Sequence, residues 1–280
     1  PGTRDNYARS LARFRKWAAA ERLPKAFRRL PLPESVLCAF AASHAGIYSA
    51  GAARSAIAGL RYAHDKDGHA WAGSPRLTCI LEAVAREAPP TSRCPERPPV
   101  MLAMVNEALV KLDPGRGFDQ CVAAAMLVAF WGQTRLGEIL SPTRRYDFKK
   151  LPARKHLTLR ADAGGPAQQE TTAVWIPMTK TARRGEYVWL TRRFNDPSYA
   201  LQEHLRDNRV GRDDPLFAYR DGNDDLVVLT KGTFLSRLNE IWTAAGMKSV
   251  SGHCVRIGGT TALLKMGVDK EIVKMSGRWK

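Results

Sequence analysis

Trp131-Gly132-Gln133-Thr134-Arg135-Leu136-Gly137-Glu138-Ile139-Leu140 lies where the chain changes its rhythm. Before it, Cys121 to Trp131 is an apolar run too short to cross a bilayer and suited to a helix buried on all sides. The helical pattern around that run covers Phe118 to Trp131, and another precedes it over Leu102 to Leu112. Beyond it the period shortens. His156 to Arg160, Thr172 to Pro177 and Glu186 to Thr191 alternate or are rich in β-branched and aromatic residues, as expected of three short antiparallel strands. Helical spacing returns over Pro197 to Arg206, Thr230 to Ala245, a segment after His253, and Asp269 to Met275.

Toward the amino terminus, Glu87-Ala88-Pro89-Pro90-Thr91-Ser92-Arg93-Cys94-Pro95-Glu96-Arg97-Pro98-Pro99 breaks the helical period and cannot build a core, so it reads as a linker. Ahead of it, Thr3 stands as an N-cap for a helix whose Tyr7, Leu11, Phe14 and Ala18 form one apolar stripe. Further helices are expected over Glu34 to Ser43, Ala50 to His64 and Pro75 to Arg86, divided by Gly, Ser, Pro and Asp. The whole reads as mainly α with a small antiparallel β-sheet: a helical domain over 1–88, a Pro-rich linker over 89–99 and an α+β domain over 100–280.

Composition narrows the partners. The net charge of +17 over 280 residues favours a polyanion, nucleic acid before an anionic membrane, although an acidic protein partner or simple solubility would also account for it. The amino terminus opens into an amphipathic pattern without a signal peptide or lipidation motif, so an intracellular place is expected, the nucleus in a eukaryote. Cys38, Cys79, Cys94, Cys121 and Cys254 are scattered, odd in number and form no C-x-x-C pair, which argues against a disulfide framework. The histidines lack ligand spacing with cysteines or carboxylates. No metal, cofactor, membrane span or small-molecule substrate is expected.

Three places carry chemistry. Arg135 and Glu138 stand one turn apart, where a guanidinium can fork two donors onto a phosphate and the carboxylate can orient it; alone, the pair reads as readily as a surface ion pair. Ser251-Gly252-His253-Cys254-Val255-Arg256-Ile257-Gly258-Gly259-Thr260-Thr261 sets an imidazole and a guanidinium one turn apart beside small residues that permit close backbone approach. That pairing offers a phosphate in transition a movable proton and fixed positive charge, against the alternative of a structural histidine at a helix start. Lys180 sits in the turn between the second and third predicted strands, where a lysine is ordinarily a solvated charge.

Taken in order, Arg135 with Glu138, Lys180 in a hairpin, His253-x-x-Arg256 and Gly277-Arg278-Trp279 resemble the catalytic domain of tyrosine recombinases and integrases. The resemblance covers nearly the whole chain, with the opening helices similar to that family's DNA-gripping core-binding domain. A finer likeness, to the fungal recombinases of Crypton-type mobile elements, rests on Asp214-Pro215-Leu216-Phe217-Ala218-Tyr219, on Arg256-Ile257-Gly258-Gly259-Thr260-Thr261 and on Gly277-Arg278-Trp279-Lys280.

The resemblance implies site-specific cleavage and rejoining of DNA through a 3′-phosphotyrosyl link, without ATP. Carried over residue by residue, it has Arg135 and Arg256 clamp the non-bridging oxygens, Lys180 protonate the leaving 5′-oxygen, His253 assist proton transfer, Trp279 donate its indole N–H and Glu138 support the arrangement. The family's nucleophile follows the Trp279 position, and the sequence reaches Lys280 without it; the tyrosines at 7, 48, 62, 146, 187, 199 and 219 match other parts of the pattern. The expectation is a truncated catalytic domain that binds DNA without cutting it. Double-stranded DNA is the expected partner, with several copies assembling on it. Arg9, Arg13, Arg54, Arg61, Arg183 and Arg184 are candidate DNA contacts, each also readable as an ordinary solvated residue. The alternative from another class is a non-catalytic DNA-binding regulator with the same fold; a type IB topoisomerase and a metal nuclease built on Asp213-Asp214 or Asp224-Asp225 rank below it.

Overall fold

The apolar stripe of the first helix points inward. In α1 (Gly2–Ala20) Phe14 and Ala18 are buried, and the Phe14 ring meets Phe40 of α2 (Glu34–Ala42) edge-to-face at 5.3 Å. The computed structural model describes residues 2–92, 98–160, 171–179, 182–191 and 193–279. It divides into two units, Pro1–Glu96 and Arg97–Lys280.

The first unit is completed by α3 (Ala50–Lys66) and α4 (Pro75–Arg86). Ser49 caps α3 by accepting the Ala52 N–H, and Ser74 caps α4 by accepting the Arg76 N–H ahead of a proline that suits a first helical turn. The small side of α3 is a packing face: a Cβ on Gly59 would sit 2.4 Å from the Ser10 Cβ of α1. Arg54 and Arg61 therefore fall on the opposite, exposed side.

The second unit is built around α6 (Gly117–Trp131), preceded by α5 (Leu102–Lys111). From Cys121 to Trp131 every residue of α6 but Ala123 is buried, which is why the apolar run shows no preferred face. After the short α7 (Leu136–Ile139) come β1 (Leu157–Arg160), β2 (Thr171–Ile176) and β3 (Glu186–Leu190), an antiparallel sheet in the order β1-β2-β3 with Val174 opposite Val188. Val188 and Leu190 face the core, while Tyr187 and Trp189, which alternate with them, are exposed. Then follow α8 (Pro197–Asp207), the hairpin β4 (Ala218–Arg220) and β5 (Leu226–Val228), α9 (Lys231–Ala244), α10 (Gly252–Lys265) and α11 (Lys270–Ser276).

The chain is thus mainly helical with a small antiparallel sheet. The β4–β5 hairpin and α7 go beyond the sequence reading, and Thr3 lies inside a helix that begins at Gly2. Asp224 takes a left-handed φ of 64° in the β4–β5 turn and pairs with Arg209, as a turn carboxylate would. Among the described residues no helix is long and apolar enough to cross a membrane.

Candidate active site

Gln133 holds the turn after α6. It is fully buried with a left-handed φ of 47°, donates Nε2 to Ser276 Oγ at 2.6 Å and accepts the Thr260 hydroxyl on Oε1 at 2.8 Å. The turn between α6 and α7 is in this way tied to α10 and to the end of α11. α10 lies hard against α6: a Cβ on Gly259 would come within 1.8 Å of the Phe130 carbonyl oxygen. This is the close approach that the small residues beside Arg256 permit.

Arg135 occupies the N-cap of α7. Its backbone N–H donates to Glu138 Oε2 at 3.0 Å, and its Nη1 donates to Oε1 at 2.7 Å. A carboxylate at the third helical position accepts an otherwise unpaired N–H and sits in the favourable field of the helix start. The pair is asymmetric, with the Glu138 side chain 5% exposed and that of Arg135 31% exposed. The guanidinium reaches solvent while its carboxylate partner does not.

Two further arginines arrive from the carboxyl-terminal helices. Arg256 on α10 is buried and donates Nη2 to the Gly277 carbonyl at 2.5 Å; its Nη1 is buried with no partner among the described residues. Its guanidinium lies over the Trp279 ring, 5.4 Å from the centroid. Burial pushes the Arg256 pKa down to about 10, helped by the charges of Arg135 and Arg278 and opposed by Glu138. Arg278 donates Nη2 to Glu138 Oε2 at 2.7 Å and brings Nε to 3.4 Å from Glu186 Oε1 at the start of β3.

Of the residues singled out in the sequence, the structure brings together Arg135, Glu138, Arg256 and Trp279, the last half-exposed. His253 sits exposed at the amino end of α10, one turn before Arg256. Lys180 lies outside the described residues; beside it the β2–β3 turn is closed by Thr179 N–H to Ala182 O at 2.9 Å and Ala182 N–H to Thr179 Oγ1 at 3.0 Å. Gln133, Glu186 and Arg278 were not singled out. Arg278 belongs to the Gly277-Arg278-Trp279 stretch, but its role depends on a contact with Glu138, 140 residues away. Buried, half-satisfied guanidiniums beside a solvent-facing arginine and an indole N–H form a donor set suited to a tetrahedral or pentacoordinate oxyanion.

No protein-family model matches the chain, and no curated protein does. Solved structures do. A XerH site-specific recombinase bound to palindromic difH substrate in a post-cleavage complex superposes with a TM-score of 0.60 over 97% of this chain and 70% of that one, at 16% identity. Its pre-cleavage complex with difH superposes with a TM-score of 0.56 over 95% and 70% of the two chains, again at 16% identity. The fold is shared with the XerH recombinase. At that identity the likeness is one of fold, with the chemistry left to the side chains.

The candidate DNA contacts fall into separate groups. Arg9 and Arg13 are exposed on α1, with the Arg13 guanidinium 5.1 Å from the Tyr48 ring centroid. Arg54 and Arg61 line a groove of about 700 Å³ between α3 and α4, together with Trp71 and Thr78. Arg183 and Arg184 are exposed in the β2–β3 turn of the second unit. Among the described residues no cluster of His, Cys, Asp and Glu is placed to hold a metal ion.

Proposed function

We propose that the protein is a site-specific DNA recombinase of the tyrosine-nucleophile class, whose first unit grips duplex DNA and whose second unit activates the scissile phosphate. The observation that carries this reading is the convergence of Arg135, Glu138, Arg256 and Trp279 on one place in a fold shared with a DNA-bound recombinase.

In the reaction a tyrosine hydroxyl attacks phosphorus, the bond to the 5′-oxygen breaks, and the leaving oxygen takes a proton. The proposed donor of that proton is Lys180, with His253 assisting the proton leaving the nucleophile. Arg135 and Arg256 stabilise the charge that grows on the non-bridging oxygens, and donors fixed beforehand favour the transition state over the ground state. The Trp279 indole N–H is a further donor to the phosphate, and Glu138 holds Arg135 in place. The phosphotyrosyl bond conserves the energy of the phosphodiester, so no cofactor is required. None of the chain's seven tyrosines is assigned as the nucleophile.

The DNA grip is assigned to Arg9, Arg13, Arg54 and Arg61, and to Arg183 and Arg184 beside the cleavage site. Several copies on paired duplexes are part of the proposal, as is a mobile-element setting of the Crypton type, which rests on residues 214–219, 256–261 and 277–280 alone. The test is covalent trapping of the natural full-length protein on a nicked duplex that contains its recombination site. A protein–DNA adduct through a 3′-phosphotyrosine is expected. Duplex binding without an adduct would overturn the reading in favour of a DNA-binding regulator with this fold. Binding should weaken with salt by a log–log slope of about −0.9 for each phosphate neutralised.

A further inference from the structure

Arg278 takes a left-handed φ of 55° just after α11, where Trp279 N–H returns to the Lys274 carbonyl and Arg278 N–H to that of Met275, both at 3.0 Å. This is the backbone of a helix terminus that glycine fills without strain and that a residue with a Cβ resists. Arg22 and Arg209 take the same backbone after α1 and α8 with exposed side chains, so what sets Arg278 apart is a side chain buried against the site.

The side chain is bonded to one carboxylate and lies within ion-pair distance of a second. Nη2 bonds Glu138 Oε2 at 2.7 Å and Nε lies 3.4 Å from Glu186 Oε1, with only 9% of the side chain exposed. Glu138 is the partner of Arg135, and Glu186 opens the strand that follows the Arg183-Arg184 turn. The neighbouring residue, Gly277, gives its carbonyl to Arg256, and the next, Trp279, supports the Arg256 guanidinium. Arg278 thus joins the α7 start, the β2–β3 hairpin and the turn after α11 that holds Arg256 of α10.

Charge completes the argument. Arg135, Arg256 and Arg278 with Glu138 and Glu186 form one electrostatically coupled group in which, among the described residues, three guanidiniums stand against two carboxylates. Without Arg278, Glu138 and Glu186 would neutralise the remaining two arginines.

We propose that Arg278 is a positioning residue of the phosphate site: it occupies Glu138 and Glu186 so that Arg135 and Arg256 keep their charge for the scissile phosphate. The inference rests on the recombinase reading above. Its test is the binding of orthovanadate, an oxyanion that mimics phosphate in transition, followed by ⁵¹V NMR on wild-type protein and on Arg278→Gly, Arg278→Lys and Arg256→Ala. Gly relieves the left-handed backbone and removes the side chain.

Arg278→Gly is expected to fold, relief of the left-handed backbone offsetting part of the lost ion pairing, and to bind vanadate roughly 10–100-fold more weakly, the scale on which outer partners of a ligating group act. Millimolar guanidinium should restore part of the affinity. Wild-type affinity in Arg278→Gly, with binding lost in Arg256→Ala, overturns the role of Arg278 alone; unchanged binding in Arg256→Ala overturns the phosphate site itself. A loss that guanidinium does not reverse marks a merely structural residue and also overturns the proposal. Should Arg278→Gly fail to fold, Arg278→Lys decides, since it keeps the positive charge that offsets the carboxylates: binding close to wild type supports the role, and binding weakened as far as in Arg256→Ala refutes it.

Discussion

Arg256 Nη2 lies 2.5 Å from the carbonyl oxygen of Gly277, so one guanidinium fastens the α10 helix to the turn after α11. Its other terminal nitrogen is buried without a partner among the described residues. A charge removed from water and only partly satisfied destabilises the native state, and apolar replacements of such groups are often neutral or better. Arg256→Met should therefore melt no lower than wild type and gain up to roughly 1–3 kcal/mol in urea unfolding. The same variant should lose at least ~10²–10³ in cleavage rate if this guanidinium stabilises the transition state, measured with the natural full-length protein. Its affinity for duplex DNA should stay unchanged, because that affinity comes from phosphate contacts spread along the backbone. A variant that cuts at the wild-type rate would remove Arg256 from the chemistry.

The seating of Arg256 depends on Gly259. An added Cβ would meet the Phe130 carbonyl oxygen at 1.8 Å and the Phe130 carbonyl carbon at 2.8 Å, and a backbone inside a buried helix has nowhere to go. Gly259→Ala should push α10 off α6 and destabilise the protein by about 1–3 kcal/mol or more in urea unfolding. Gly137 on α7 is the control. Nothing lies within 4 Å of its would-be Cβ, so Gly137→Ala should be neutral or stabilise by up to about 1 kcal/mol. Equal effects from the two substitutions would show that the α6–α10 contact is loose.

Which parts could be read in advance follows from how local their causes are. The helices declare themselves through caps and periodicity: Ser49, Ser74, Asp196, Thr230 and Asp269 each accept a backbone N–H at a helix start. The three-stranded sheet is legible because Val188 and Leu190 alternate with Tyr187 and Trp189. The β4–β5 hairpin escapes because strands of three residues hold too few positions to show a period. In the site, Arg135 and Glu138 are visible as neighbours on one helical turn, but nothing local marks Glu138 as the buried partner of two arginines. Gln133 is a polar residue in a turn by every sequence rule, and only the arrival of Thr260 and Ser276 makes it a buried clamp.

His204 gives the second unit an acid limit unconnected with the candidate active site. It is fully buried on α8, with Nε2 3.1 Å from the Leu216 carbonyl and Nδ1 3.0 Å from the Asn208 side-chain amide nitrogen. The ring therefore donates at Nε2 and accepts at Nδ1, and a second proton would set an N–H against the amide N–H. Burial pushes its pKa down to about 4, with the Leu216 carbonyl opposing. Between the ordinary value near 6.5 and about 4 the unfolded chain takes up a proton that the folded chain refuses, so stability falls as pH falls through that window. From pH 7 to about 4.5 the loss from this residue should be about 2 kcal/mol in urea unfolding. His204→Gln, less stable at neutral pH but unable to titrate there, should show a pH dependence shallower by that amount. Parallel curves for the two proteins would mean that His204 takes its proton as readily folded as unfolded.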